Sequence, residues 1–281
     1  MLAPRRTELD LLDADATTAY VGEHRPERVV HLAAFASAGA SWKHPRRALE
    51  ENVATTLNLL DAIRAETPGA LTLLASSGEI YGPPERLPVT EDAALHPRNP
   101  YAVSKAACDL LGEQFAAAHG LAIVRARAFN HAGPGQTDEY VLGTLTRQVA
   151  EAEARGEAAV VLRTGRTDTG RDFTDVRDVV RAYFSAVDAD PGAYNVCSGR
   201  SVTVTELIGL VSGATELEVR QLTDPERVRP HEVEEVRGSA ARLHAATGWE
   251  PEIDLAKTVR DALEHWRAGL IELPARGPSA G

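Results

Sequence analysis

Tyr101-Ala-Val-Ser-Lys105 sets a phenol and an ammonium four residues apart, one turn along one face of a helix. A phenol with an ordinary pKa near 10 moves few protons at neutral pH, whereas a fixed cation beside it favours the phenolate and brings it toward the working range. Six tyrosines and three lysines in 281 residues give this spacing by chance in only about 0.06 of shuffled chains. Taken alone, the pair reads equally as a salt-bridging helix start.

Ala75-Ser-Ser-Gly-Glu-Ile-Tyr-Gly82 follows an apolar run. Ser77 and Glu79 therefore fall at the C-terminal end of a predicted strand, where open α/β sheets bind ligands. The Ser77 hydroxyl could polarise a carbonyl, and Glu79 reaches the same cavity if the chain stays extended; a polar strand-to-loop turn is the alternative. Phe129-Asn-His-Ala-Gly-Pro-Gly-Gln136 also follows a strand. Its glycines let backbone approach a bulky ligand, and Asn130 can hydrogen-bond a phosphate or sugar. His131 reads as a ligand contact or a structural histidine, and His31, inside an apolar strand, as a core residue. Arg171, in Gly170-Arg-Asp-Phe-Thr-Asp175, and Arg229, in Arg227-Val-Arg-Pro-His-Glu-Val233, could each chelate a diphosphate with paired N–H donors, with Glu232 accepting from ribose hydroxyls. Each arginine singly also reads as a solvated surface charge.

The elements that must hold these residues follow from periodicity. A short apolar run within Glu27–Phe35 precedes apolar positions Leu49, Val53, Leu57, Leu60 and Ile63, which predict a helix over 45–64. Leu71–Ala75 precedes a helix starting near Tyr101 and running through Phe115, and Leu121–Ala126 precedes one over 141–154. Three strand-then-helix units with apolar strands predict a parallel sheet covered on both faces, an α/β chain. Beyond Gly156 the pattern mixes strands at 159–162, 193–197 and 216–222 with helices around 176–187, after Thr203 and over 255–268, and a charged loop over 224–238. The expected organisation is a sheet domain over 1–156, a smaller α/β region over 157–272 that is mainly a substrate lobe with some segments returning to the sheet, and a frayed tail over 273–281.

Charge and composition exclude several classes. Thirty basic against 41 acidic residues give a net charge of −11, the wrong sign for holding a nucleic-acid backbone. Cys108 and Cys197, 89 positions apart, make neither a disulfide framework nor a metal site, and suit a reducing compartment. No apolar run approaches the roughly 18 residues of a membrane span, and charge begins by the fifth residue, so no membrane partner and a cytoplasmic location are expected.

Taken in this order, the segments resemble the extended short-chain dehydrogenase/reductase family of sugar-nucleotide enzymes, over about Glu8 to Leu270. The stretches that carry the resemblance are Ser76–Gly82, His96–Lys105, Phe129–Gln136, Arg171–Val176, Tyr194–Gly199 and Val236–Ser239. The resemblance implies that Ser77, Tyr101 and Lys105 form a catalytic triad, with Tyr101 the acid/base and Lys105 on the cofactor ribose, and that Glu79 joins them. It implies Asp10 and Leu11 near an adenine, Leu32, Ala33, Ala34 and His131 among the other cofactor contacts, and Asn130, Arg171, Arg229 and Glu232 on the nucleotide sugar. The implied cofactor is NAD(P)H, with NAD against NADP left open; the implied partners are a GDP-sugar and a second copy paired through the Tyr101 helix. The implied activity is hydride transfer to the C4 carbonyl of GDP-4-keto-6-deoxy-D-mannose, giving GDP-D-rhamnose. Dehydration of GDP-mannose, with Glu79 as base, and non-catalytic binding of a nucleotide sugar are the alternatives.

One hallmark of the family is not in this sequence: no Gly-x-x-Gly-x-x-Gly or Gly-x-Gly-x-x-Gly follows a strand. The expected fold is therefore a doubly wound, Rossmann-like parallel sheet lacking its first strand-helix-strand unit, with Glu8–Leu12 as the third strand and the Val29–Leu32 strand left with an unpaired edge. A start assigned downstream of the true one is the favoured cause, against a fragment or a divergent chain that no longer binds cofactor, and poor expression or weak NAD(P)H binding is the expected consequence.

Overall fold

The structure is a computed structural model that describes residues 1–228 and 233–271. Its strands are β1 (Arg28–His31), β2 (Leu71–Ser77), β3 (Ile123–Ala128), β4 (Asn130–Ala132), β5 (Ala159–Thr164), β6 (Gly170–Asp175), β7 (Gly192–Val196), β8 (Ser201–Thr203), β9 (Glu218–Thr223) and β10 (Glu235–Val236). Its helices are α1 (Ala14–His24), α2 (Ala38–Lys43), α3 (Pro45–Glu66), α4 (Pro100–His119), α5 (Val141–Ala154), α6 (Val176–Ala186), α7 (Val204–Ser212), α8 (Ala241–Thr247) and α9 (Leu255–Ile271). The contacts divide the chain into two units.

The first unit comprises Met1–Phe129, Val179–Gly199 and Gly238–Glu250. Its sheet runs β1-β2-β3-β7, every pair parallel. Successive residues of β2 point to opposite faces, and each finds its own core. Leu74 joins Leu59, Leu60 and Ile63 of α3 and Phe115 of α4, while Leu73 joins Val179, Ala182 and Ala186 of α6 with Leu243 and Trp249. The sheet is thus a Rossmann-like α/β layer with helices on both faces. Among the described residues β1 is an end strand, with Val30 at 42% and Leu32 at 60% exposure.

The second unit comprises Asn130–Asp178, Arg200–Arg237 and the chain from Pro251 onward. Here β6 lies between β10 and β4, parallel to both, and also pairs antiparallel with β8, while β5 and β9 form a separate parallel pair. Its core is built from Leu142, Leu145 and Val149 of α5, Leu162 of β5, Leu207 and Val211 of α7, and Val259 and Leu263 of α9. The boundary expected after residue 156 falls inside this unit, between α5 and β5.

One expected element is corrected. Glu8–Leu12 is not a strand but a turn-rich segment. Local polar groups take the bonds a ladder would have used: Asp10 accepts from the Leu12 amide at 3.1 Å, and the Asn58 side chain donates to the carbonyls of Leu11 and Leu12 at 2.9 and 3.3 Å. The segment 224–238, expected as loop, contains a 3-10 turn over Pro225–Arg227 and the short β10. Arg229, Glu232 and the tail 273–281 lie outside the described residues.

Candidate active site

β2 ends on Ser76 and Ser77, and the chain then tightens into a 3-10 turn over Gly78–Tyr81. The Ser77 hydroxyl starts that turn by accepting from the Glu79 amide at 3.2 Å. A Cβ at Gly78 would lie 2.9 Å from the Phe129 ring, so glycine lets the turn rest directly on that ring. Glu79 is left exposed, and the Asn99 side-chain amide donates to its Oε2 at 2.7 Å.

Asn99 is also the N-cap of α4: its Oδ1 accepts from the Ala102 amide at 2.8 Å, and Pro100 occupies the first helical position. The Tyr101 amide, another of the donors that a helix start leaves unmatched, goes to the buried hydroxyl of Ser41 at 3.2 Å. Tyr101 is half-buried and Lys105, one turn on, is 8% exposed. The Lys105 ammonium donates to the carbonyl of Ala75 near the end of β2. Helix, strand end and turn are thereby tied together at the C-terminal end of β2, an inner strand of the sheet.

Burial pulls the Lys105 ammonium below its ordinary pKa, while nearby Cys108 and Asp109 work in the opposite sense. His31, buried in β1 with its Nε2 3.2 Å from the Thr56 hydroxyl, falls to about 4 through burial and then the positive charge of Lys105. It is neutral at pH 7, a core histidine. Below the site lies a buried polar network. Arg127 of β3 grips Asp109 of α4 with two bonds, at 3.0 and 2.8 Å, and Ser76 donates to the same carboxylate at 2.7 Å. Burial alone would push Asp109 upward, but the Arg127 hydrogen bonds and charge, with Ser76 and Arg125, outweigh it and hold the carboxyl below its usual range. Arg127 also donates to the Tyr81 hydroxyl and the Glu91 carbonyl, both at 2.9 Å. Burial carries Tyr81 to about 12 against the pull of Arg127, so this phenol stays protonated and donates to Asn195 at 2.7 Å.

Of the residues singled out from sequence, Ser77, Glu79, Tyr101 and Lys105 are gathered within the first unit by these bonds. Leu32, Ala33 and Ala34 are exposed just past β1. Asp10 and Leu11 lie in the segment before α1, Asp10 paired with Arg6 at 3.3 Å. Asn130 and His131 open β4 in the second unit, both exposed. Arg171 lies half-buried in β6 of that unit, donating to the carbonyls of Gly170 and Val233 at 2.8 and 2.9 Å. Sequence reasoning missed Ser41, Asn99, Arg127 and Asp109. It also missed Asn52, which ties the Phe35 backbone to α3 and donates to Ser104 of α4 at 2.8 Å. One signal was available: Asp109 lies one turn past Lys105 on the α4 face, and Arg125 and Arg127 share one face of β3.

A nicotinamide dinucleotide can be tested against this arrangement. Lys105 is a buried ammonium whose acceptor, among the described residues, is a carbonyl and not a carboxylate, leaving donors for a ribose diol. The small, exposed Ala33 and Ala34 let a flat ring lie against the backbone. The nicotinamide-ribose end therefore fits, whereas the sequence has no glycine-rich turn for the pyrophosphate.

A parallel, helix-covered sheet with Ser77 at a strand end and a Tyr-x-x-x-Lys turn beside it defines an extended short-chain dehydrogenase/reductase. Residues 5–262 match the family described as GDP-mannose 4,6 dehydratase, and the chain belongs to that family. It is similar to the GDP-6-deoxy-D-mannose reductase of Pseudomonas aeruginosa, with 40% identity over 96% of this chain and 90% of the relative. The solved structure of RMD from P. aeruginosa complexed with NADPH superposes with a TM-score of 0.88 at 39% identity, covering 96% of this chain and 90% of that one. The Thermotoga maritima UDP-glucose 4-epimerase with UDP-glucose follows, with a TM-score of 0.85 at 28% identity over 94% of this chain and 84% of that one.

Proposed function

We propose that this chain catalyses the NAD(P)H-dependent reduction of the 4-keto group of GDP-4-keto-6-deoxy-D-mannose to GDP-D-rhamnose. The observation that carries the reading is the 40% identity to a GDP-6-deoxy-D-mannose reductase over 96% of the chain. When bound, reduced nicotinamide supplies the hydride to sugar C4. Ser77 hydrogen-bonds the keto oxygen, and Tyr101 gives that oxygen its proton as negative charge develops there. Lys105, reaching the ribose hydroxyls, places a positive charge by the phenol so that the phenolate left behind is stabilised. Leu32, Ala33 and Ala34 would hold the nicotinamide, and Asp10 and Leu11 the adenine, with His131 among the residues that would contact the cofactor. Asn130, Arg171, Arg229 and Glu232 would hold the GDP portion. Incubating the chain with the 4-keto sugar and NADH or NADPH tests the reading through loss of the reduced nicotinamide and appearance of GDP-D-rhamnose.

A second reading, dehydration of GDP-mannose, draws on the exposed Glu79 carboxylate at the strand end and on the matched family. A base there could take the C5 proton before water leaves C6. A 4-keto product formed from GDP-mannose without added NAD(P)H would favour it.

We also propose a homodimer. Leu49 of α3 and Val103 and Leu110 of α4 leave 42%, 44% and 53% of their surfaces exposed on two neighbouring helices, an apolar stripe suited to a second copy. A cytoplasmic location is proposed from the two cysteines, both buried and neither joined in a disulfide among the described residues. Among the described residues no helix is long and apolar enough to cross a membrane.

A further inference from the structure

We propose that Asn99 is a positioning residue that fixes the Glu79 carboxylate relative to Tyr101, joining the two halves of the site through one side-chain amide. The inference rests on the reading above, in which Tyr101 gives the proton. An unbroken series of bonds supports it. The Glu79 amide donates to Ser77 Oγ at 3.2 Å, Asn99 Nδ2 donates to Glu79 Oε2 at 2.7 Å, and Asn99 Oδ1 accepts from the Ala102 amide at 2.8 Å, in the turn that carries Tyr101.

The orientation of the Asn99 amide is settled by its own partners. The cap position demands an acceptor, so the oxygen faces the helix and the NH₂ faces Glu79; a flipped amide would lose both bonds at once. Capping alone does not demand asparagine, because serine, threonine and aspartate serve as well there. Only an amide of this length offers the helix an acceptor and Glu79 a donor together. Glu79 is exposed, and a long exposed side chain samples several rotamers unless something holds it. With Oε2 engaged, Oε1 takes no hydrogen bond among the described residues and is presented in one direction, to a sugar hydroxyl or a water.

Asn99→Asp tests this, because it keeps the cap, removes the donor and sets carboxylate against carboxylate. With the 4-keto GDP-sugar as substrate, kcat is expected to fall about tenfold or more, in line with the sensitivity of turnover to misplaced groups. KM for NAD(P)H is expected within about twofold of the parent and the unfolding midpoint within about 3 °C. In a Glu79→Gln background the same change is expected to cost less than about threefold, because donor and acceptor have exchanged places and the contact survives. Asn99→Ser, which also caps but cannot reach Glu79, should reproduce the loss if Asn99→Asp fails to fold. A kcat within about twofold of the parent in either folded variant, or an equal cost with and without Glu79→Gln, overturns the assignment of Asn99. Tyr101→Phe run alongside separates the two levels. If it turns over at the parental rate, or the parent itself shows no reduction, the reading of the reaction fails and the Asn99 assignment falls with it.

Discussion

At the level of single residues, the polar groups of the first unit divide into those built to react and those built to stay as they are. Tyr81 and His31 belong to the second kind, one held as a phenol at about 12 and the other as a neutral imidazole at about 4. His31 has a measurable consequence. The unfolded chain binds its proton near 6.5 and the folded chain only near 4, so between those values the unfolded state takes up more protons and stability falls as pH drops. Between pH 7 and pH 4.5 this one group removes about 2 to 3 kcal/mol. Urea unfolding at both pH values should show His31→Gln losing less than the parent by about that amount; equal losses would contradict the assignment. Tyr101 is the group proposed to react. Tyr101→Phe keeps the ring and the Ser41 bond to its amide, so turnover is expected to fall by roughly 10²–10⁴ with the thermal midpoint held. Loss of both together would point to a structural role.

Among the elements, α4 carries most of the design. Its buried face presents Lys105, Asp109 and Gly112 toward the sheet, and a Cβ at Gly112 would lie 2.6 Å from Leu74, so glycine there sets how closely helix and β2 approach. The Arg127–Asp109 clamp then locks α4 to β3. Arg127→Met takes the two-bond partner from the buried Asp109 and leaves it only Arg125 at 3.1 Å and Ser76 at 2.7 Å, which should cost up to about 3–5 kcal/mol, and adding Asp109→Leu should recover part of it. Denaturant unfolding of the single and double variants distinguishes a clamp from a bystander, which would show neither loss nor recovery. These elements also show what the sequence could tell. α5 over Val141–Ala154 and the start of α3 at Pro45 follow from periodicity and a proline, and Tyr101 with Lys105 from helical spacing, because those signals are local. The Asn99–Glu79 bond joins residues 20 apart and Tyr81–Asn195 residues 114 apart, and no short-range pattern announces either. Glu8–Leu12, placed as a strand from the resemblance, is not one for the same reason: a strand needs a neighbour, and Asn58 from α3 takes its carbonyls instead.

For the whole molecule, a net charge of −11 means that the proposed GDP-sugar, an anion, would have to be met by placed cations and not by general attraction; Arg171 of β6 is the proposed one among the described residues. The proposed pairing through α3 and α4 belongs to this scale as well. Leu110→Glu sets a charge into the exposed stripe and should give a monomer in sedimentation where the parent sediments as a dimer; a parent that is itself monomeric would refute the interface. The central claim is a reaction, and one assay reaches it most directly: the chain incubated with GDP-4-keto-6-deoxy-D-mannose and either reduced nicotinamide, followed by absorbance and product chromatography. The account predicts one reduced nicotinamide oxidised for each GDP-D-rhamnose formed. It is contradicted if the keto sugar and NAD(P)H stay unchanged while GDP-mannose alone is converted to a 4-keto product.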